Sequence, residues 1–306
     1  MKNQTNKDLW IEKYRPSELK SYVGNNHLKE KIESFIESGN IPHLLFFGSA
    51  GVGKTTLAKL IINSIDCDEL IINASDENNV ETIRTKVKGF ATTMGFRDWK
   101  VVVLDEFDYM SNSAQALLRN LMETYSKNCR FILTCNYIEK VIEPIKSRCQ
   151  TFEILPPNKT DVEKHISNIL EIEKVKYQFK DIETIVDNSF PDVRKIINNI
   201  QLNSTKGLLE LHSNSVIETD VKTKILEVLK SNEDDKWLLI RKLICDARVK
   251  DFSELYSFLY QRVDEYGGKN VPNIILLLSD AVEKDVSVVD KEISFMGCII
   301  KITNQL

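Results

Sequence analysis

The stretch Gly48-Ser49-Ala50-Gly51-Val52-Gly53-Lys54-Thr55 decides how this chain folds. It follows the apolar run Leu44-Leu45-Phe46-Phe47 and leads into the helix formers Thr56-Leu57-Ala58-Lys59-Leu60. Strand, glycine loop and helix start therefore come in the order that a phosphate cradle needs. The glycines let the backbone turn tightly enough to aim several N–H groups at one anion, and the new helix adds the positive end of its dipole. In that setting Lys54 reaches the β- and γ-phosphates of a nucleotide, and Thr55 offers a hydroxyl to magnesium.

A phosphate cradle of this kind needs an acidic pair at the end of a second buried strand. Lys100-Val101-Val102-Val103-Leu104 is too apolar to have a wet face, and it runs straight into Asp105-Glu106-Phe107-Asp108. Asp105 takes the metal-holding role, through water, and Glu106 the role of base that polarises an attacking water.

At 306 residues the chain is long enough for two or three domains. No apolar run reaches membrane-spanning length, and Met-Lys-Asn-Gln-Thr-Asn-Lys-Asp at the start lacks the apolar core of a signal peptide, so the expected location is the cytoplasm. Six cysteines (Cys67, Cys129, Cys135, Cys149, Cys245, Cys298) show no C-x-x-C spacing, which points to packed thiols rather than a zinc knuckle or a disulfide framework. With 41 basic against 45 acidic residues the net charge is −4, so any contact with nucleic acid is local rather than a matter of bulk charge.

Strand candidates at Leu44 to Phe47, Glu69 to Ile72, Val101 to Leu104, Phe131 to Thr134 and Thr151 to Ile154 alternate with helical patterns, which implies an α/β unit with a five-stranded parallel sheet between helices. One helix, capped by Ser111 or Ser113, puts Leu117, Leu118, Leu121, Met122 and Tyr125 on one stripe and Gln115, Arg119 and Glu123 on another. Pro156-Pro157 ends this unit. From Asn158 to about Ser213 the pattern reads as wholly helical, and a third helical stretch follows from about Asn214, with apolar sets Ile225, Val228, Leu229 and Trp237, Leu238, Ile240, Leu243. Between Val80 and Ala91 an inward stripe of Val80, Ile83, Val87 and Phe90 leaves Arg84 and Lys88 outward and one turn apart, where they can track a nucleic-acid backbone or stand as a solvated face.

Several further segments resemble boxes of the sliding-clamp-loader ATPases of the AAA+ class: Trp10-Ile11-Glu12-Lys13-Tyr14-Arg15-Pro16, Asn73-Ala74-Ser75-Asp76-Glu77, Thr134-Cys135-Asn136, Ser147-Arg148-Cys149 and Pro191-Asp192-Val193-Arg194. Asp-Glu-Phe-Asp and Tyr125-Ser126-Lys127-Asn128-Cys129 look closest to the T-even-type phage loaders, with the replication factor C small subunits next. The resemblance implies a P-loop AAA+ domain over 1–156, a helical lid domain over 157–213 and a helical collar domain over 214–306. It implies an ATPase with ATP and Mg2+ as ligands, stimulated by clamp and DNA. Its partners would be a sliding clamp, primer-template DNA and other loader subunits in a hetero-oligomer, a pentamer by analogy.

Carried over by position, Ile11, Glu12, Lys13, Tyr14 and Val23 would border the adenine, and Gly51, Val52, Gly53, Lys54, Thr55 and Thr56 the phosphates. Trp10 and Tyr14 could equally pack an N-terminal arm. Asn73 would restrain Glu106 or simply cap its strand, Asn136 would orient the attacking water, and Arg194 would fold over the nucleotide from the lid unless it is an ordinary surface arginine. Arg148 would act in trans, as an arginine finger on a neighbouring subunit's γ-phosphate. Arg84, Lys88 and Arg119 would contact DNA, although Asn78-Asn79 stands where cellular loaders commonly carry Arg-Gly. Two rival readings are another AAA+ motor, such as a branch-migration helicase or protein remodeller, and a scaffold that binds ATP without hydrolysing it.

Overall fold

A computed structural model describes residues 9–97, 99–205, 207–210, 213–231, 233, 235–247, 249, 252–285 and 287–306, with side chains over 213–220 left aside. The N-terminal stretch read above against a signal peptide, residues 1–8, lies outside the described residues. Two compact units divide the chain, 1–210 and 211–306, and the expected boundary between lid and AAA+ domain falls inside the first.

In the first unit, strands β1 (Leu44–Phe47), β2 (Cys67–Asn73), β3 (Trp99–Asp105), β4 (Cys129–Cys135) and β5 (Gln150–Glu153) form one sheet in the order β2-β3-β4-β1-β5. Every pairing is parallel. Side chains alternate across the pleat, so each inner strand feeds two cores. Leu45, Val102, Leu104, Phe131 and Leu133 pack on one face, while Leu44, Phe46, Val101, Val103 and Ile132 pack on the other.

Helices α1 (Trp10–Lys13), α2 (Asn26–Glu37) and α3 (Lys54–Asn63) precede α4 (Val80–Thr82), which runs through a π-helical turn, Ile83–Val87, into α5 (Lys88–Thr92). Ile83 and Val87 are fully buried there, and Arg84 and Lys88 are exposed, as the stripe predicts. The wider π-turn puts Arg84 and Lys88 a little less than one turn apart.

Helix α6 (Asn112–Thr124) is capped by Ser111, whose hydroxyl accepts from Ala114 N–H at 3.3 Å. Gln115, grouped by helical spacing with Arg119 and Glu123, is 0 % exposed. Its amide donates to the Met110 and Lys140 carbonyls at 3.0 Å each and accepts from Ile142 N–H at 3.0 Å, so three backbone groups from flanking segments satisfy it inside the protein.

After α7 (Glu143–Lys146) come α8 (Lys159–Ile172), α9 (Phe179–Ser189) and α10 (Val193–Asn203). This region is not wholly helical: β6 (Ser204–Thr205) and β7 (Leu208–Leu209) make a small antiparallel hairpin, with Gly207 at φ 78° in its turn. Lys176 bridges to Leu208.

The second unit is built from α11 (Ser213–Lys230), α12 (Lys236–Ala247), α13 (Ser253–Gln261), α14 (Val263–Tyr266), α15 (Val271–Asp285) and α16 (Lys291–Thr303). Ile225, Leu229, Ile240, Tyr256, Leu278 and Phe295 lie in its core, while Leu238, from the same apolar set as Ile240, is 47 % exposed. All six cysteines are free thiols, and Cys245 is exposed rather than packed. No helix among the described residues is long and apolar enough to cross a membrane.

Candidate functional site

Parallel strands deliver their C-terminal ends to one edge of the sheet, and the loops after β1, β3 and β4 meet there. The glycine loop is closed in by side chains from two directions. Gly51, at φ 75°, has the Asp192 carboxylate where a Cβ would go, and a Cβ on Gly53, at φ 99°, would lie 3.0 Å from the Tyr22 ring. Asp192 is also the N-cap of α10, accepting from Lys195 N–H at 2.9 Å, so the loop packs against the start of the helix that carries Arg194.

Lys54 is 8 % exposed, and its ammonium donates to the Gly48 and Ser49 carbonyls at 2.9 and 2.7 Å. Burial holds its pKa below the ordinary lysine value, opposed by the neighbouring Asp105 and Asp108. The Thr55 hydroxyl donates to the two Asp105 oxygens at 2.8 and 2.9 Å. On the other side of that carboxylate the Thr134 hydroxyl also donates to Asp105, and it accepts from Glu106 N–H at 3.1 Å.

Glu106 sits in the left-handed region at φ 54°, an unfavourable place for a residue with a Cβ. The bond to Thr134 and that of Tyr109 N–H to the Glu106 carbonyl at 3.0 Å hold it there. Lys54, Thr55, Asp105, Glu106, Asn136 and Arg194 all line this polar cavity. A carboxylate beside a hydroxyl is a hard oxygen pair suited to a small divalent cation that keeps water and phosphate in its remaining positions. The ammonium and guanidinium add the positive charge that polyphosphate needs.

A second, largely apolar cavity adjoins it. Ile11, Tyr14, Tyr22, Val23, Val52, Pro157, His165, Val193 and Ile197 line it, and Gly51, Gly53, Thr56 and Arg194 are common to both halves. Burial lowers the His165 pKa, which favours the neutral imidazole, and pushes the Tyr22 phenol up. Tyr22 donates to the Val52 carbonyl at 3.3 Å. A flat heteroaromatic base fits an apolar slot of this composition.

Glu12 and Lys13, expected at the nucleotide, are not among the residues lining either cavity. Glu12 pairs with Arg15 at 2.5 Å, and Lys13 pairs with Glu173 at 2.7 Å, to which Tyr14 also donates at 2.6 Å. Ile11 and Tyr14, three residues apart, share one side of the short α1 helix and leave Glu12 and Lys13 to the other. Asn73 uses its side-chain oxygen to accept from Ser75 N–H and Ser75 Oγ, both at 3.0 Å, and so caps its own strand. Arg148 follows α7 and lines neither cavity. Arg119 is bonded to Asn120 at 2.8 and 3.2 Å. Thr134, Tyr22 and His165 line the cavities without belonging to the expected site residues. Thr134 alone left a trace in the sequence, as a hydroxyl near the end of a buried strand.

A family model for "ATPase family associated with various cellular activities (AAA)" matches residues 44–157. The replication factor C small subunit of Archaeoglobus fulgidus is 37% identical over 269 residues, covering 86% of this chain and 80% of that protein. That of Methanococcus vannielii is 35% identical over 289 residues, covering 92% and 88%. The chain belongs to the replication factor C small-subunit family. The Sulfurisphaera tokodaii member is 45% identical over 206 residues, with 65% of this chain aligned to 63% of that one, so the chain spans just under two thirds of this relative's length. Among solved structures, the Holliday junction branch migration motor RuvB of Thermotoga maritima superposes with a TM-score of 0.58 over 81% of this chain and 91% of RuvB, at 16% identity. That likeness is one of fold. Membership of an ATPase family agrees with a nucleotide and a divalent metal at the polar half of the site of this replication factor C relative.

Proposed function

We propose that this chain is an ATP-hydrolysing subunit of a sliding-clamp loader, which opens a ring-shaped polymerase processivity clamp and loads it on primer-template DNA. One observation carries the reading: Asp105 is gripped by Thr55 and Thr134 one residue before Glu106, in the cavity that Lys54 enters from the glycine loop. Mg2+ held by Thr55 and Asp105 would neutralise charge developing on the β- and γ-phosphates. Lys54 exchanges its two loop carbonyls for phosphate oxygens. Glu106 takes the proton of the attacking water, Asn136 orients that water, and Arg194 closes over the triphosphate. The apolar half holds the adenine between Ile11, Tyr14, Val23 and Val52.

Arg148 serves a neighbouring subunit's γ-phosphate, which makes turnover conditional on a closed hetero-oligomer, by analogy a pentamer. Residues 157–213 act as the lid and 214–306 as the collar. Arg84, Lys88 and Arg119 track the DNA backbone, and the Asp-Glu-Phe-Asp variant favours a phage-type loader acting in the host cytoplasm. The test is hydrolysis by the complex reconstituted with its partner subunits, with clamp and primed DNA added singly and together. Stimulation greatest with both, lost in an Arg84→Gln, Lys88→Gln pair whose binding to DNA also depends less steeply on salt, supports the reading. A rate indifferent to clamp and to DNA overturns it.

A further inference from the structure

We propose that Glu123 is the positioning residue for Arg148. The proposal rests on the reading that Arg148 works in trans. Arg148 has a backbone fixed on both sides: its own N–H donates to the Ile145 carbonyl at 3.0 Å, and two residues on Gln150 N–H joins the sheet through the His43 carbonyl at 2.8 Å. Its long side chain has no such constraint, and a free guanidinium would have to be immobilised at the moment of reaction. The structure shows what immobilises it. Nη1 donates to the Pro144 carbonyl at 2.7 Å and to Ser147 Oγ at 3.5 Å, and Nη2 is ion-paired with the Glu123 carboxylate.

A guanidinium has five N–H donors, so three are engaged and two are left for an incoming phosphate. The Pro144 and Ser147 contacts come from the adjacent turn, whereas Glu123 reaches over from α6, 25 residues earlier. Among the described residues it is thus the one tether that ties the direction of the guanidinium to the body of the domain. The pair is open to solvent, with side-chain exposures of 31 % for Arg148 and 52 % for Glu123. Exposed pairs add little to fold stability, so orientation is the effect to look for.

The test compares Glu123→Ala, Arg148→Ala and the double variant in the reconstituted complex, measuring kcat, KM and nucleotide affinity. Glu123→Ala is expected to lower kcat on the order of tenfold, the scale of a misplaced catalytic group, with nucleotide affinity within about twofold of wild type. The double variant should be no slower than Arg148→Ala alone. Mixed complexes separate positioning from damage to the subunit's own pocket: Lys54→Ala subunits carry an intact Arg148 and should restore turnover in the pockets of Glu123→Ala neighbours. Additive losses in the double variant, no recovery on mixing, or an unchanged or raised kcat in Glu123→Ala each overturn the proposal. Full activity in Arg148→Ala instead sinks the underlying reading of Arg148, which keeps the two failures distinct.

Discussion

The two halves of the nucleotide site are built in opposite ways. The polar half comes mainly from the ends of three strands of one sheet and works by directed bonds: Thr55 and Thr134 to Asp105, Lys54 to the loop carbonyls, Glu106 N–H to Thr134. The apolar half comes from segments as far apart in the chain as Ile11 and Ile197, which meet mainly through apolar side chains. A site of this kind separates two jobs. Directed groups can distinguish a transition state from a bound substrate, whereas apolar contact holds both equally.

That division can be broken most severely at Glu106. Glu106→Gln keeps the shape and removes the base, so kcat should fall about a thousandfold while nucleotide affinity stays near wild type. Binding that falls in parallel would mean Glu106 contacts the nucleotide itself. Next in size is Lys54→Ala, which removes a charge-assisted bond to phosphate and should weaken nucleotide binding on the order of a hundredfold by equilibrium titration. Equal affinity in wild type and variant would rule out the glycine-loop assignment.

Thr134→Val, which keeps the volume but deletes the hydroxyl that steadies Asp105 and Glu106, should cost roughly thirtyfold in kcat with little change in KM. A change confined to KM would move Thr134 to the binding side of the division. In the apolar half, Ile11→Ala should raise KM about tenfold and leave kcat alone, because the buried surface it removes acts on ground and transition state alike. If kcat fell instead, the two halves would not be independent. Gly51, Gly53, Thr56 and Arg194, which border both, are the residues through which such coupling would pass.

Legibility follows the same line. Lys54, Thr55, Asp105 and Glu106 could be named from short motifs, and the five strands from runs of apolar residues, since Val101 to Leu104 have no polar face to offer water. Thr134 could be read as a strand residue but not as Asp105's partner. That required knowing that β4 lies beside β3. Gln115 shows the same limit in reverse, because helical spacing grouped it with the half-buried Arg119 and the exposed Glu123, and only the arrival of the Met110, Lys140 and Ile142 backbone groups made a buried amide tolerable. Glu12 and Lys13 sit within a recognisable box, yet the turn of α1 gives the cavity only their neighbours.

By itself, then, the order of residues determined the phosphate loop, the acidic strand end and the parallel sheet between helices. These depend on torsions, dipoles and periodicities that act over a few residues, and neighbours in sequence carry them wherever the chain goes. Tertiary structure decided which apolar segments close over the base, which carboxylate holds Arg148 and which hydroxyl steadies Asp105. Hydrophobic contact is non-directional, so many apolar partners would serve Ile11 or Ile197 equally well. Long-range bonds such as Glu123 to Arg148 exist only once the sheet has set the distance between their elements.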